Sequence, residues 1–403
     1  MVYLLGMNMR FRKCMRREPL MKKIVSLLLI AALLISLLPA AMADTVLDPK
    51  EKRKIKLQKV TLNEAEEGIS PTTGLPLEDL EIIEGFAGLA VTGRYMPMLV
   101  QIDNTDGGVD LRAPWGASYA DIIYETPLYK AGNTRMSFLF SDLIPDSVGP
   151  VRSARMGHAW LREEWDAGFL YYGQQEYDKA DVKKELRELG VEEKGLAFSG
   201  TVGAGKKWKK YYTRRKGVAS PHNVDANAAA MYELIDADFV PRNHTFLFTD
   251  ELPEGELADE IRIDTGHRDY SSALIYDLDR NLYFRYMGTG NNLTPYEDKD
   301  TKEHIGFANV IIQFAEVDWL RTDAPITYHV GKKYYSNKGK KAVGGNADFF
   351  MGGVHVEGYW QRETMEDRTV FYTADGKELE LQCGKTLIVV VDSELWTVSY
   401  KAY

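Results

Sequence analysis

Cysteine is nearly absent from this chain. Of the two in 403 residues, Cys14 and Cys383, the first falls in an N-terminal stretch that reads as a removable leader. One remaining thiol permits no intramolecular disulfide, so the fold must rest on packed cores. Cys383 ends the alternating run Leu379-Glu380-Leu381-Gln382-Cys383, where the expected role is a small core residue and not a nucleophile. Metal-ligand spacing is missing as well: the seven histidines form no His-x-x-x-His or His-Glu-x-x-His pattern, and no Cys-x-x-Cys occurs. No metal and no cofactor is expected. Gly203-Ala204-Gly205-Lys206-Lys207 lacks both the spacing and the hydroxyl of a phosphate-binding loop, and no nucleophile elbow is found. Basic charge is also in deficit, with 50 Lys and Arg against 59 Asp and Glu. Removing residues 1–43, which hold seven basic and one acidic side chain, leaves 43 against 58, a net charge of −15 that disfavours bulk nucleic-acid binding. No repeat or low-complexity tract appears.

What is present begins with a secretory pattern at 21–43: Lys22 and Lys23, an apolar run from Ile24 to Leu38, then the small-x-small site Ala41-Met42-Ala43. The run is about 15 residues, short of the ~20 that cross a bilayer comfortably. Cleavage before Asp44 and an extracytoplasmic location, secreted or wall-associated, are therefore expected; the alternative is an anchor formed by residues 24–38. Met21 is the better start, with the Arg-rich residues upstream either lengthening the leader or lying outside it.

Residues 44–70 are charged and aperiodic, which predicts an exposed linker. From 71 to 237, strands at Met96–Asp103, Ala120–Leu128, Thr134–Phe140 and Phe169–Tyr172 alternate with helical patterns at 150–166 and Lys179–Leu189, predicting a mixed α/β domain. Residues 238–270, with Pro241 and Pro253, read as a connection. Beyond it, seven short Val-, Ile- and aromatic-rich runs predict a β-rich domain over 271–403, with a tight hairpin turn at Asp375-Gly376. The overall class is α+β or α/β.

The stretch Gly149-Pro150-Val151-Arg152-Ser153-Ala154-Arg155 draws most attention. Read as the first turn of a helix, with Pro150 at its first position, it sets Arg152 and Arg155 on one face beside unpaired N–H groups and a partial positive charge. Such a placement calls for an anion, either a protein carboxylate or a ligand. Arg135, Arg152, Ser153, Arg155, His222 and Asn223 make the expected ligand-binding set. Asp121 and Glu125 share one face of a strand by its period of two, and either could be the carboxylate that pairs with these arginines. Asp103, at a strand end, and His222, between Pro221 and Asn223, complete the candidates for acid–base chemistry: Asp103, Asp121, Glu125 and His222. The tract from Lys206 to Lys216 interleaves seven basic residues with three aromatics. Lys206, Lys207, Lys209, Lys210, Arg214 and Arg215 are its candidate polyanion-binding residues, with wall polymers or anionic lipid headgroups as partners; the alternative is a solvated loop.

Several of these pieces, in order, resemble the YerB-like family of bacterial envelope lipoproteins: Pro-Thr-Thr-Gly-Leu-Pro at 71–76, Ile-Asp-Asn at 102–104, Ala-Asp-Ile-Ile-Tyr-Glu at 120–125, Gly-Asn-Thr-Arg at 132–135, the GPVRSAR stretch and Pro-His-Asn at 221–223. Gly344-Gly345, Gly352-Gly353 and Tyr359-Trp360-Gln361-Arg362 resemble its glycine-rich strands ending in tryptophan. The resemblance implies two domains and an envelope location but no particular reaction. It also implies a lipid-bearing cysteine at the cleavage site, which this chain lacks. Trp360 is expected to be a buried core tryptophan, with sugar stacking by an exposed Trp360 beside Arg362 as the alternative. The function expected is a binding or scaffold protein for an anionic or glycan envelope ligand or a wall-synthesis partner, cell-wall polymer or envelope protein. A hydrolase or transferase using Asp, Glu and His, and a purely structural partner, are the alternatives. Oligomeric state is not legible.

Overall fold

Most of the short apolar runs become strands, and they pair into two large sheets. The computed structural model describes residues 44–56, 58–59, 63–104, 113–201, 207–242, 245–321, 324–327, 343–364 and 366–403. The leader, the Asp106-Gly107-Gly108 turn and Lys206 lie outside the described residues. The larger sheet has eleven strands. Its order runs Glu256–Leu257, Val354–Arg362, Val343–Met351, Asn309–Ala315, Thr386–Asp392, Ile122–Pro127, Thr134–Phe140, Met98–Ile102, Gly168–Tyr171 and Ala197–Ser199, with Val370–Thr373 on the flank of Val354–Arg362. The smaller is an antiparallel sheet of seven, built on Glu260–Asp264, Ser272–Asp277 and Leu282–Thr289.

The large sheet does not stop at the expected domain boundary. Thr386–Asp392, from the C-terminal half, runs parallel to Ile122–Pro127, with Thr386 opposite Ile122 and Val389 opposite Glu125. Thr45–Ala402 accordingly forms one compact unit. Buried ion pairs add to the seam: Arg362 Nη1 lies 3.3 Å from Glu164 Oε2 on the helix Met156–Trp165, and Arg285 Nη2 lies 2.6 Å from Glu125 Oε2. Each of these side chains is almost wholly buried, so desolvation makes the pairs intolerant of losing one partner.

Two segments expected to be connections are part of the structure. In 44–70, Thr45–Val46 adds a strand to Thr397–Lys401, and Arg53 reaches Asp348 at 3.0 Å. In 238–270, Leu247–Thr249 and Glu260–Asp264 are sheet strands. Composition misleads in the first because a polar edge segment satisfies its backbone through pairing that leaves no apolar period. In the second, Ile261 and Ile263 do alternate with Glu260, Arg262 and Asp264 in a central strand, but the surrounding acidic residues and prolines obscure that period. The Asp375-Gly376 turn forms, with Gly376 at φ 86°, although Glu380–Gln382 then leaves its hairpin partner to run parallel to Leu247–Thr249.

The helix predicted for 150–166 starts later, at Met156, and ends at Trp165. Pro150 follows a cis peptide bond and is not a helical residue. Residues 149–154 are instead laid among strands: Asp103 N–H donates to Pro150 O at 2.8 Å, Arg152 N–H to Gln101 O at 2.8 Å, and Tyr172 N–H to Arg152 O at 2.9 Å. These bonds satisfy a backbone that a helical turn would otherwise have had to cap. Arg152 therefore precedes the helix, and Arg155 is its N-cap residue, with extended backbone.

Register decides which side chains share a face. Gln101 lies opposite Ser137, and Thr126 opposite Arg135. Strand alternation puts Gln101, Asp103, Tyr124, Thr126, Arg135 and Ser137 on one face and Glu125, Thr134 and Met136 on the other. The first face meets the helix, since Tyr124 Oη accepts from Trp165 Nε1 at 2.7 Å and Thr126 Oγ1 lies 3.1 Å from His158 Nε2. The second meets the smaller sheet through Arg285, which contacts both Glu125 and Met136 Sδ.

Candidate anion-binding site

The helix face of the sheet carries the residues that the sequence marks. Asp103 sits one residue past the strand Met98–Ile102 and is 1 % exposed. Its Oδ2 is 2.6 Å from His222 Nδ1 and 3.2 Å from Arg152 Nε, and its Oδ1 is 3.8 Å from Arg135 Nη1. Two arginines and His222 thus meet one carboxylate, and Arg155 lies close enough to Arg135 for their charges to oppose each other. Arg135 is 2 % exposed, and neither its Nε nor its Nη1 has a hydrogen-bond acceptor; Arg155 Nε and Asp103 Oδ1 are unmatched as well. Burial pushes the Arg135 guanidinium down to about 10; Asp103 opposes the shift while Arg155 and Arg152 add to it. It remains a cation at neutral pH, and among the described residues Asp103 is the acid that supports its charge.

His158 does not relieve the imbalance. Its Nδ1 accepts the backbone N–H of Arg155 at 3.0 Å, so the ring proton belongs on Nε2 beside Thr126, and the ring is neutral. Burial, then Arg135 and Arg155, hold its pKa well below the usual histidine range. The segment itself is braced from outside. Trp115 shares a bridge with Gly149 and donates from its indole to Asp225 at 2.6 Å, and Arg215 stacks on the Trp115 ring at 4.1 Å while pairing with Asp300 at 2.6 Å. A Cβ on Gly149 would fall 2.5 Å from the Trp115 ring and from Val224 O, so only glycine fits there.

Not every expected residue joins. Asp121 and Glu125 do not pair with these arginines. Glu125 lies on the opposite face, held by Arg285, by Thr134 Oγ1 at 2.7 Å and by Asn104 Nδ2 at 3.4 Å. Asp121 Oδ2 accepts from Ser141 N–H, from Ser141 Oγ and from Thr72 Oγ1, beside Asp142. Ser153 Oγ donates to Tyr172 O at 3.2 Å, and Asn223 is buried with its Oδ1 taken by Arg214 at 2.7 Å, so both serve the local framework. Within the basic tract, Arg214 and Arg215 are engaged by Asn223, Asp225 and Asp300, leaving Lys207, Lys209 and Lys210 exposed. Trp360 is fully buried with its indole donating to Phe314 O at 2.8 Å, which overturns the sugar-stacking reading. Cys383 is half-buried, its Sγ 3.8 Å from Asp250 Oδ1. Among the described residues, no group of three His, Cys, Asp or Glu is placed to hold a metal ion. A cavity of about 440 Å³ lies elsewhere, between Pro71, Leu89, Tyr95, Phe239 and Pro241; its Arg94 is committed to the carbonyls of Ile235 and Asp236.

Sequence reasoning missed Arg285, His158 and Thr126 as members of these clusters. Arg285 is 160 positions from Glu125, and nothing local announces the pairing.

Residues 86–240 match the N-terminal domain, and residues 261–388 the C-terminal domain, of the family described as "Protein of unknown function (DUF3048)". The "Putative lipoprotein YerB" of Bacillus subtilis (strain 168) is 25% identical over 337 residues, which cover 80% of this chain and 86% of that protein. The crystal structure of the YerB protein from Bacillus subtilis matches at a TM-score of 0.59 and 22% identity, covering 82% of this chain and 99% of that one. The latter is a likeness of fold.

Proposed function

The chain belongs to the YerB-like family, and from that footing we propose that it is an exported, envelope-facing protein that binds an anionic ligand through Arg135, Arg152 and Arg155. The observation that carries this reading is Arg135: a guanidinium that is 2 % exposed, with two nitrogens lacking acceptors among the described residues and one nearby carboxylate that also meets Arg152 and His222. Buried charge is tolerated when it is paired, so a site left with surplus cation is suited to an anion from solution. The export half rests on the leader at 21–43 and on the relative's name as a lipoprotein. Among the described residues no helix is long and apolar enough to cross a membrane.

Thermal unfolding in phosphate, sulfate and citrate against chloride at matched ionic strength tests the binding half. A ligand that binds only the native state raises the melting temperature in proportion to the logarithm of its concentration, and Arg155→Lys, which cannot offer a bidentate fork, should lose most of that rise. No anion-specific shift in the parent protein would end this reading. The Asp103–His222 contact favours a second one, acid–base chemistry on a bound ester, because a buried carboxylate beside a half-exposed imidazole is how such a base is oriented. Its test is turnover of envelope esters lost in His222→Ala with anion binding retained.

A further inference from the structure

Among the described residues the cluster holds three guanidiniums, Arg135, Arg152 and Arg155, against the single carboxylate of Asp103, with His158 neutral. Glu125 contributes nothing, being on the other face and matched by Arg285. The surplus is two positive charges before any on His222.

Depth is the second observation. The Arg135 side chain is 3% exposed and that of Asp103 1%, whereas Arg152 and His222 keep 24% and 17%. Arg152 and His222 are therefore the members of the cluster that solvent reaches. A phosphate esterified twice has substituents to accommodate on two sides and carries one charge; a phosphate esterified once presents three unsubstituted oxygens and nearly two charges at neutral pH.

We propose that the ligand group is a terminal phosphate monoester, bound as the dianion, in preference to the internal phosphodiester of a wall polymer. This rests on the anion-binding reading above and narrows its ligand class. Arg152 and Arg155 grip the outer oxygens with the paired geometry guanidinium offers phosphate, and the innermost oxygen supplies the acceptor that Arg135 lacks.

Calorimetric titration of the full chain with glycerol 3-phosphate, dimethyl phosphate and acetate at constant ionic strength tests it. The monoester should bind at least about tenfold more tightly than the diester near pH 8, and the advantage should fade as the solution is taken well below the second phosphate pKa of about 6. Arg135→Met should reduce monoester affinity to the diester level while the variant's unfolding curve confirms that it folds. Equal affinity for monoester and diester with no pH dependence would overturn the dianion assignment and leave the anion site standing; no binding of any of the three would remove both. Vesicles containing phosphatidic acid, compared with phosphatidylglycerol, locate the source: retention on the former that glycerol 3-phosphate displaces assigns the monoester to a lipid, and soluble binding alone assigns it to a free metabolite.

Discussion

Two buried acids one strand apart, Asp103 and Glu125, are treated in opposite ways. Glu125 faces the smaller sheet and is enclosed by Arg285, Thr134 and Asn104, one cation for one anion with both carboxylate oxygens engaged, although Arg285 Nε and Asn104 Oδ1 are themselves unmatched. Asp103 faces the helix and is shared by Arg135, Arg152 and His222, with Arg155 near Arg135, and its Oδ1 and two Arg135 nitrogens are unmatched. The residue types are the same, and only the balance differs. A balanced cluster is sufficient to explain itself as structure; a surplus that deep is not, and it is the surplus that marks a place for something the chain does not supply.

The balanced side should break hardest. Arg285→Ala strands a fully buried carboxylate across the seam between the two halves and is expected to lower stability by about 3–5 kcal/mol, read by urea unfolding. Anion-dependent stabilisation should survive in whatever fraction remains folded. A loss under about 1 kcal/mol would mean that water reaches Glu125 and that the contrast between the faces is overstated.

A third acid handles its charge in yet another way. Burial and Asp142 together push the Asp121 carboxyl up to about 8 against the hydrogen bonds of Ser141, and the nearby Lys385 is itself lowered by burial. Here a proton stands in for the counter-ion. Because the folded-state pKa is raised, the native state binds the proton more tightly than the unfolded chain: this stabilisation is complete below about pH 4 and is lost as pH climbs through about 8. Stability should therefore fall from mildly acidic to mildly alkaline pH by on the order of 2–3 kcal/mol, a decline that Asp121→Asn should flatten. A parent protein whose melting temperature is level from pH 5 to 8 would show that Asp121 is ionised in the fold.

The surplus side should respond differently to loss of a cation. Arg135→Met removes an unmatched buried charge and keeps most of the volume, so stability should move by less than about 1 kcal/mol in either direction, while the anion-dependent rise in melting temperature shrinks. If Arg135→Met instead costs as much as Arg285→Ala, the two clusters are alike and Arg135 is a structural residue.

Much of this contrast could be read before the fold was seen, and the part that could not has a physical cause. Arg152 and Arg155 were recognisable because two arginines in one short turn are a costly arrangement without partners, whereas Arg135, Asp103 and His222 stood out mainly because their short motifs resemble those of the YerB-like family. Which acid meets which arginine was not recognisable. Pairing of Thr126 with Arg135 places Glu125 on the far face, and register is set by contacts between strands that no single strand encodes. The start of the helix was misplaced for a related reason: Pro150 is acceptable at a first helical position by its own geometry, and only the strands around Gln101 and Tyr172, which take up the backbone of 150–154, rule that out. The same non-local pairing hid the seam, since nothing in Leu387-Ile388-Val389 names Ile123 and Tyr124 as its neighbours.

The basic tract gives the smallest expected effect on stability and a comparison at the surface. Arg214 and Arg215 are committed to Asn223, Asp225 and Asp300, whereas Lys207, Lys209 and Lys210 are exposed, two of them resting over Trp208 and Tyr211 at 4.2 and 4.8 Å. Exposed lysines lose little when replaced, so changing all three to Gln should alter stability by no more than about 0.5 kcal/mol. Their charges still act at the Debye length, roughly 10 Å at moderate salt, where a polyanion would feel several at once. If this surface holds wall polymers, the triple variant should be released from isolated cell walls at lower salt than the parent, with the phosphate response at Arg135 unchanged. Identical salt elution of the two proteins would make the lysines a solvated loop, and would confine anion recognition to the arginines on the helix face of the sheet.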